Sequence, residues 1–342
     1  MATLKSVAKI DVLSDVLRAV RLTGAAYFDF ELSSPWVLEA PPSREIASRV
    51  MPGAQRVIEY HLVARGSAWG HAVGQEPKRL REGDVLVFPQ GDGHVLSSAP
   101  GMRASSPTSL TLFTRRSTLP MVYEFGGGGA ERTDIICCFL GCDERPYNPL
   151  LAALPHTIHV SSSGAETTAG LLRTLVTLAL RETAAMRAGG ENVLARVSEL
   201  LFVETIRWYL EALPPAETGW LAGVRDADVG RAIAAMHADP AHPWTVETLA
   251  RHVGLSRSIL AERFTSLVNQ PPMQYLALWR MQLASRRLLD GDQVSDVAAA
   301  VGYESEAAFS RAFKKLVGTS PGLWKKSAGL KERSEGSERS SV

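Results

Sequence analysis

The stretch from Val301 to Phe313, VGYESEAAFSRAF, constrains what this chain can fold into more than any other. Apolar residues at helical spacing precede Gly302, and glycine ends a helix well because it adopts the left-handed backbone freely. Ser305 then suits the N-cap of a second helix, whose apolar stripe comprises Ala308, Phe309, Ala312, Phe313 and Leu316. A helix, a glycine turn and a second helix with a polar and basic outer face indicate a helix-turn-helix unit.

The same pattern occurs a second time in the chain. The stretch 249–268, LARHVGLSRSILAERFTSLV, repeats the stretch 297–317, VAAAVGYESEAAFSRAFKKLV, with one residue fewer in the turn. Gly254 corresponds to Gly302, and Phe264 corresponds to Phe313, 49 residues further on. Two such units in tandem are a much stronger indication than one, because many helical hairpins share the single pattern.

Residues 229–326 resemble the DNA-binding domain of the AraC/XylS family of bacterial transcription regulators. The matching residues are Ala298, Val301-Gly302-Tyr303, Ser305, Phe309-Ser310-Arg311-Ala312-Phe313-Lys314, Gly318 and Ser320-Pro321. Trp324-Lys325 stands where that signature usually ends in Tyr-Arg, so an aromatic residue and a cation are kept. The resemblance implies double-stranded promoter DNA as the partner and leaves RNA polymerase as a further candidate.

The outward residues of the two second helices are the predicted DNA-contacting set. They are Arg257, Ser258, Ala261, Glu262 and Arg263 in the first unit and Glu306, Ala307, Ser310, Arg311, Lys314 and Lys315 in the second. Arg311 is the predicted base contact because arginine binds guanine bidentately, whereas Arg257, Arg263, Lys314 and Lys315 are predicted phosphate contacts. Glu262 repels phosphate, so we expect less affinity from the first unit. Residues 273–289 are predicted to form one helix of about 25 Å, which would set the two units in successive major grooves.

Charge distribution agrees with this placement. The whole chain of 342 residues has a formal charge of only +1, but residues 229–326 contain twelve Lys or Arg against eight Asp or Glu. The length predicts two domains, and no signal peptide or membrane-spanning stretch is visible. Three cysteines do not make a secreted disulfide framework. We therefore expect a cytoplasmic protein.

The N-terminal half follows a different pattern. Residues 11–22 predict a short amphipathic helix, and from Gly24 to Leu119 short apolar runs broken by Gly, Pro and Asp predict an antiparallel β-domain, for example SLTLF at 109–113. This half resembles the cupin-type sensor domain of some AraC-family regulators, through His61, Gly66, Trp69, Gly83-Asp84, Pro89, Gly91-Asp92, His94 and residues 149–155. The predicted fold is α+β with two domains: an N-terminal all-β cupin-like barrel plus a helical hairpin, and a C-terminal all-α domain.

The predicted hairpin consists of helices at about 164–188 and 191–212, each with a long apolar stripe. These stripes pack on the β-domain, form a homodimer interface, or do both. The predicted boundaries are 1–213 for the sensor domain, 214–228 for a linker, 229–326 for the DNA-binding domain and 327–342 for a disordered tail.

Candidate chemistry in the sensor domain comes from its aromatic and histidine residues. Tyr27, Trp36, His61, Trp69 and His94 are the candidate pocket for a small-molecule effector. Metal-binding cupins use a His-X-His pair, a Glu and a later His, and Leu62-Val63 after His61 breaks that pair. We therefore expect no cofactor or metal, although Cys137 or Cys142 leaves a zinc or iron site open.

The sequence thus predicts a DNA-binding transcription regulator controlled by a small-molecule effector, and not an enzyme. Two alternatives stay open. One is a metal-dependent cupin enzyme and the other is a thiol redox sensor acting through Cys137 or Cys142, each fused to the DNA-binding domain.

Overall fold

The computed structural model describes residues 11–20, 22–51, 54, 56–105, 121–142, 146–162, 168–185, 187–214 and 217–326. The chain divides into two compact units. The first, here the sheet unit, comprises Arg21–Asp143 and Leu154–Leu213. The second, here the helical unit, comprises Met1–Val20, Glu144–Ala153 and Pro214–Val342. The N-terminal helix therefore groups with the C-terminal helices, unlike in the predicted domain boundaries.

Ten strands are described in the sheet unit, and they form two sheets. The six-stranded sheet has the order β10-β6-β3-β9-β1-β8, and the four-stranded sheet has the order β2-β7-β4-β5. Neighbouring strands are antiparallel except for β1 and β8, which are parallel. The strands are β1 (Leu22–Ser33), β2 (Val37–Ala40), β3 (Arg56–Arg65), β4 (Ser67–Ala72), β5 (Lys78–Arg81), β6 (Val85–Phe88), β7 (His94–Ser97), β8 (Met121–Gly126), β9 (Arg132–Cys142) and β10 (Ile158–Val160).

The core of the sheet unit lies between the two sheets and continues on the outer side of the larger one. Val57 and Val63 of β3 belong to the inner core, together with residues such as Leu96 of the smaller sheet. Tyr60 is buried on the opposite face of β3, where its hydroxyl bonds with Ser198. Both faces of β3 are therefore buried along residues 57–63, including the polar Glu59 and His61.

The described helices of the sheet unit include the predicted hairpin and one helix that was not predicted. They are α2 (Ser43–Val50), α4 (Thr168–Ala185) and α5 (Gly190–Ala212). The last two are the predicted hairpin, and α5 contributes Ser198 to the outer face of β3. None of the helices described is both long and apolar enough to cross a membrane.

Helices account for the described part of the other unit. They are α1 (Val12–Ala19), α3 (Pro149–Ala153), α6 (Trp220–Arg225), α7 (Ala227–Ala238), α8 (Val246–Val253), α9 (Arg257–Val268), α10 (Pro272–Leu289), α11 (Val294–Ala300) and α12 (Glu306–Val317), with a short helix at 321–326. The N-terminal β-rich region with helices and the C-terminal all-helical region confirm the predicted fold class.

Part of the predicted linker is folded helix. Trp220 opens α6, is 3% exposed and donates a hydrogen bond from Nε1 to the hydroxyl of Tyr275 at 2.9 Å. Asp226 then caps α7 by accepting hydrogen bonds from two backbone amides. Tertiary burial of a tryptophan outweighs the Pro and Gly residues on which the linker prediction depended. The predicted strand at 109–113 and the predicted tail at 327–342 lie outside the described residues.

Candidate functional site

Both predicted helix-turn-helix units form, and their turns have matching geometry. In the first unit α8 ends at Gly254, which has a φ of +77°, and Ser256 caps α9. In the second unit Gly302 has a φ of +79° after α11, and Ser305 caps α12. Each capping hydroxyl accepts a hydrogen bond from the backbone amide three residues ahead, at 3.3 Å and 3.2 Å respectively.

The second unit has a buried aromatic core behind α12. Phe309 and Phe313 are both fully buried and contact each other with ring centroids 5.4 Å apart. Trp324 packs on Phe313 and donates a hydrogen bond from Nε1 to the carbonyl oxygen of Ser285. Lys325 binds two carbonyl oxygens just beyond the end of α10. The Trp-Lys ending thus fills an aromatic site and stabilises a helix C-terminus.

The opposite face of α12 is exposed and basic. Glu306, Ala307, Arg311, Lys314 and Lys315 are exposed, and Ser310 is half-buried. Arg311, Lys314 and Lys315 have no ion pair with a carboxylate within the described part of the chain. Their charges are therefore available to an external anion.

The corresponding face of α9 is less basic. Arg257, Ser258 and Glu262 are exposed, Ala261 is half-buried, and Arg257 has no carboxylate partner among the described residues. Ile259, which the sequence analysis did not select, is 51% exposed in the first turn of α9. Apolar side chains are a type that contacts thymine methyl groups in protein–DNA complexes.

Arg263 differs from the other predicted phosphate contacts. Its guanidinium donates hydrogen bonds to Asp226 at 2.7 Å and to Asp228 at 2.9 Å, and the two carboxylates raise its pKa. These bonds join α9 to the N-terminal end of α7. A phosphate would have to share a guanidinium that two carboxylates already bind.

The interior of the sheet unit brings together two of the predicted pocket residues. Nε2 of His61 on β3 lies 2.7 Å from Nε2 of His94 on β7. Glu59, two residues before His61 and therefore on the same face of β3, joins them, and Nε2 of His94 lies 3.8 Å from its Oε2. Cys137 on β9 lies opposite His61, with Sγ 2.8 Å from Nδ1. Glu59 was not among the candidate site residues of the sequence analysis. Its position two residues before His61 on a predicted strand was the signal that could have identified it.

Burial governs the protonation of this cluster. Glu59, His61 and His94 are 1%, 4% and 1% exposed. Burial raises the pKa of Glu59 well above its usual range, lowers that of His61 well below its usual range and lowers that of His94 to about 4. In all three groups burial thus favours the uncharged form.

The other predicted pocket residues do not all join this cluster. Trp36 is buried in the same inner core, and no described residue is a hydrogen-bond partner of its Nε1. Trp69 is half-buried and points away from that core, because its neighbours Ala68 and Gly70 alternate with it and face inward. The side chain of Tyr27 lies outside the described residues.

Strand geometry also decides how the cysteines are placed. Cys137 belongs to the inner core, whereas Cys138 lies on the other face of β9, as alternation on a strand requires. Cys137, Cys138 and Cys142 are all buried free thiols. Burial raises the pKa of Cys137 well above its usual range, and a protonated thiol is a weak nucleophile. This disfavours Cys137 as a redox sensor.

Comparisons with known proteins agree with both halves of the structure. A family model described as Cupin matches residues 11–211, and one described as a helix-turn-helix domain matches residues 249–327. An AraC-like transcription regulator of Streptomyces lividans is 33% identical over 286 residues, covering 80% of this chain and 88% of the relative. The regulator AlkR of Acinetobacter baylyi is 27% identical, covering 91% and 98%. The crystal structure of the AdpA DNA-binding domain in complex with a target DNA is 29% identical, covers 30% of this chain and 93% of that chain, and has a TM-score of 0.29.

The fold and these matches define a DNA-binding transcription regulator with an N-terminal cupin domain. The chain belongs to the AraC family of transcription regulators. The relatives compared are named as transcription regulators rather than as enzymes.

Proposed function

We propose that this regulator reads specific promoter sequences chiefly through α12, with Arg311 contacting a base and Lys314 and Lys315 contacting phosphates. The observation that supports this most directly is the face of α12 opposite Phe309 and Phe313. It presents three cations that no described carboxylate neutralises. A bidentate contact from Arg311 discriminates guanine from other bases, whereas lysine contacts with phosphates do not depend on sequence.

The first unit contributes a smaller share of the affinity in this proposal. Arg257 contacts a phosphate, while Ser258, Ala261 and Ile259 face base edges. Glu262 repels nearby phosphates, and the carboxylates around Arg263 reduce its attraction for them. Helix α10, with 18 residues and a length of about 27 Å, separates the two helix-turn-helix units by a distance suited to successive major grooves.

Control by an effector and dimerisation complete the proposed function. The effector binds in the sheet unit and shifts the population of conformations that present α9 and α12 to DNA. A homodimer forms through α4 and α5, whose outer faces expose Leu171 and Leu178 on one helix and Val193 and Leu200 on the other. Each pair is seven residues apart, the spacing of a helix–helix seam.

A titration with three variants tests the DNA-reading residues. The DNA is a site selected from random sequences by the wild-type protein, compared with a scrambled site. We expect Arg311→Ala to lose about 1–3 kcal/mol on the selected site alone, and Lys314→Ala to lose affinity on both with a salt slope lower by about one. Arg196→Ala, an exposed arginine of the sheet unit, serves as the matched control. An equal loss on both sites for Arg311→Ala makes it a phosphate contact, and no loss refutes the proposed reading face.

Dimerisation is tested separately by analytical ultracentrifugation. We expect Leu200→Lys to shift the protein toward monomer because it places a charge in the apolar seam. The same substitution at Val73, which is exposed in the loop after β4, is the control. A Leu200→Lys protein that sediments like the wild type refutes the hairpin interface.

A further inference from the structure

Three side chains with metal-binding atoms converge between the two sheets. Glu59, His61 and His94 each offer one such atom, and these atoms all lie within 4.8 Å of one another. Two of the side chains come from β3 and the third comes from the first residue of β7 in the smaller sheet. All three are more than nine-tenths buried. The convergence depends on the packing of the two sheets and not on a single sequence motif.

The carboxylate of Glu59 is the strongest sign that a ligand belongs there. Neither of its oxygens has a hydrogen-bond partner among the residues that the structure describes, although both are buried. A buried carboxylate is stable only when it is protonated, paired or bound to a metal, because its desolvation costs several kcal/mol. The atoms that face it are imidazole nitrogens, which bind divalent metals as readily as carboxylates do.

Both histidines are oriented as metal ligands are. Nδ1 of His94 lies 2.9 Å from the carbonyl oxygen of Asp92, which can only accept, so Nδ1 carries the proton and Nε2 keeps its lone pair. Nδ1 of His61 lies against Sγ of Cys137, and Nε2 faces His94. Metal-binding histidines commonly have one ring nitrogen held by such a partner while the other binds the ion.

We propose that Glu59, His61 and His94 bind a divalent first-row transition metal ion, zinc or iron, with Cys137 and the Asp92 carbonyl holding the two imidazoles. Two histidines and one carboxylate form the donor set of both catalytic zinc sites and mononuclear iron(II) sites. This set differs from the His-X-His arrangement of the metal-binding cupins, because the residue two positions before His61 is Glu59 and not a second histidine. The proposal does not depend on control by an effector.

Only small movements are needed to admit the ion. At metal–nitrogen distances of about 2.0–2.1 Å, two tetrahedral ligands lie about 3.3 Å apart, compared with 2.7 Å between the two Nε2 atoms here. His61 then moves its proton from Nε2 to Nδ1, which faces Cys137. The carboxylate of Glu59 lies close enough to both imidazoles to face the same ion.

Metal content and affinity of the full-length protein test the site. The protein is purified without chelators for elemental analysis, then stripped and titrated with Zn²⁺, with Fe²⁺ under anaerobic conditions, and with Mg²⁺ as a negative control. We expect one Zn²⁺ or Fe²⁺ per chain and a higher Tm of the metal-bound wild type. Glu59→Gln, His61→Gln and His94→Gln should each weaken binding by more than about 100-fold, since loss of an outer partner alone costs about 10- to 100-fold.

Three further variants separate the site from general effects on the fold. His71→Gln, a buried histidine on the other face of β4, should bind metal like the wild type. Cys137→Ser should keep the stoichiometry with an affinity lower by about 10- to 100-fold. Glu59→Gln without metal should be at least as stable as the wild type, because it removes an unpaired buried acid. Wild-type protein that binds no Zn²⁺ or Fe²⁺, or binding that survives in all three ligand variants, overturns the proposal.

Discussion

The two turn glycines offer a matched test of how the helix-turn-helix units are built. Gly254 and Gly302 occupy corresponding positions and have nearly the same φ, +77° and +79°. Their surroundings differ, because a Cβ on Gly302 would lie 2.5 Å from the carbonyl oxygen of Ala241, whereas a Cβ on Gly254 would meet nothing within 4 Å. Substitution by alanine therefore separates backbone conformation from steric contact.

The expected magnitudes follow from this difference. Gly254→Ala introduces a non-glycine residue into the left-handed region, which costs about 1–2 kcal/mol. Gly302→Ala carries the same cost and also forces two backbone segments apart, which adds about 1–3 kcal/mol. For a unit of this size, 1 kcal/mol lowers Tm by about 2–4 °C. The second variant should therefore unfold several degrees below the first.

Differential scanning calorimetry of the full-length protein measures both variants. The transition of the helical unit is identified by its upward shift when the selected DNA is added. Equal shifts for Gly254→Ala and Gly302→Ala, or a larger shift for Gly254→Ala, would refute the steric part of the reasoning. Loss of DNA affinity at Gly302 without loss of stability would mean that the turn relaxes by moving α12.

Two further predictions concern buried polar groups. Burial alone would raise the pKa of Asp84, but hydrogen bonds from His159 and two backbone amides lower it to about 2. Relative to an unfolded pKa of 3.8, the ionised Asp84 stabilises the folded protein by about 2 kcal/mol. This contribution is present above pH 4 and is lost as the pH falls toward 2. Asp84→Asn should remove this pH dependence of the unfolding free energy, measured by urea unfolding. Tyr275→Phe should cost about 2–3 kcal/mol, because the buried hydroxyl lies 2.9 Å from Nε1 of Trp220 and 2.7 Å from Nε2 of His237; a loss below about 0.5 kcal/mol in calorimetry would contradict this.

Local signals made the DNA-binding region predictable from the sequence. Gly302 requires the left-handed backbone, Ser305 caps the next helix, and Phe309 and Phe313 are spaced for one buried face. Each of these signals acts within a few residues, so the helix boundaries and the exposed face of α12 could be expected. The repetition of the pattern around Gly254 strengthened the prediction further.

Features that depend on distant parts of the chain could not be predicted in this way. The ion pairs of Arg263 join it to residues 35 and 37 positions earlier. Glu59 becomes a candidate ligand only in the folded protein, where His94 of β7 lies close to Glu59 and His61 of β3. Trp220 forms a helix where Pro and Gly suggested a linker, because packing in the helical unit and a bond to Tyr275 bury its side chain. In each case tertiary packing decides what the local sequence leaves open.

One buried side chain connects segments that the sequence analysis assigned to different domains. Gln282 on α10 is 3% exposed. Its Oε1 accepts a hydrogen bond from the backbone amide of Tyr147 at 3.1 Å, and its Nε2 donates one to the carbonyl oxygen of Ala19 at 2.9 Å. Ala19 ends α1 shortly before β1 begins, and Tyr147 follows β9. Gln282 therefore bonds to two segments of the helical unit that are distant from it in sequence.

We predict that Gln282→Leu loosens both segments while leaving the exposed face of α12 unchanged. Leucine has a similar size but leaves the part-buried amide of Tyr147 and the buried carbonyl of Ala19 without this partner, each at up to about 1–3 kcal/mol. Hydrogen exchange should become faster in residues 12–19 and 147–153, and Gln274→Leu, at an exposed position of the same helix, should leave it unchanged. Unchanged protection in Gln282→Leu would show that these segments are held by apolar packing alone. Faster exchange combined with unaltered DNA affinity would mean that the hold on the segments is separable from DNA reading.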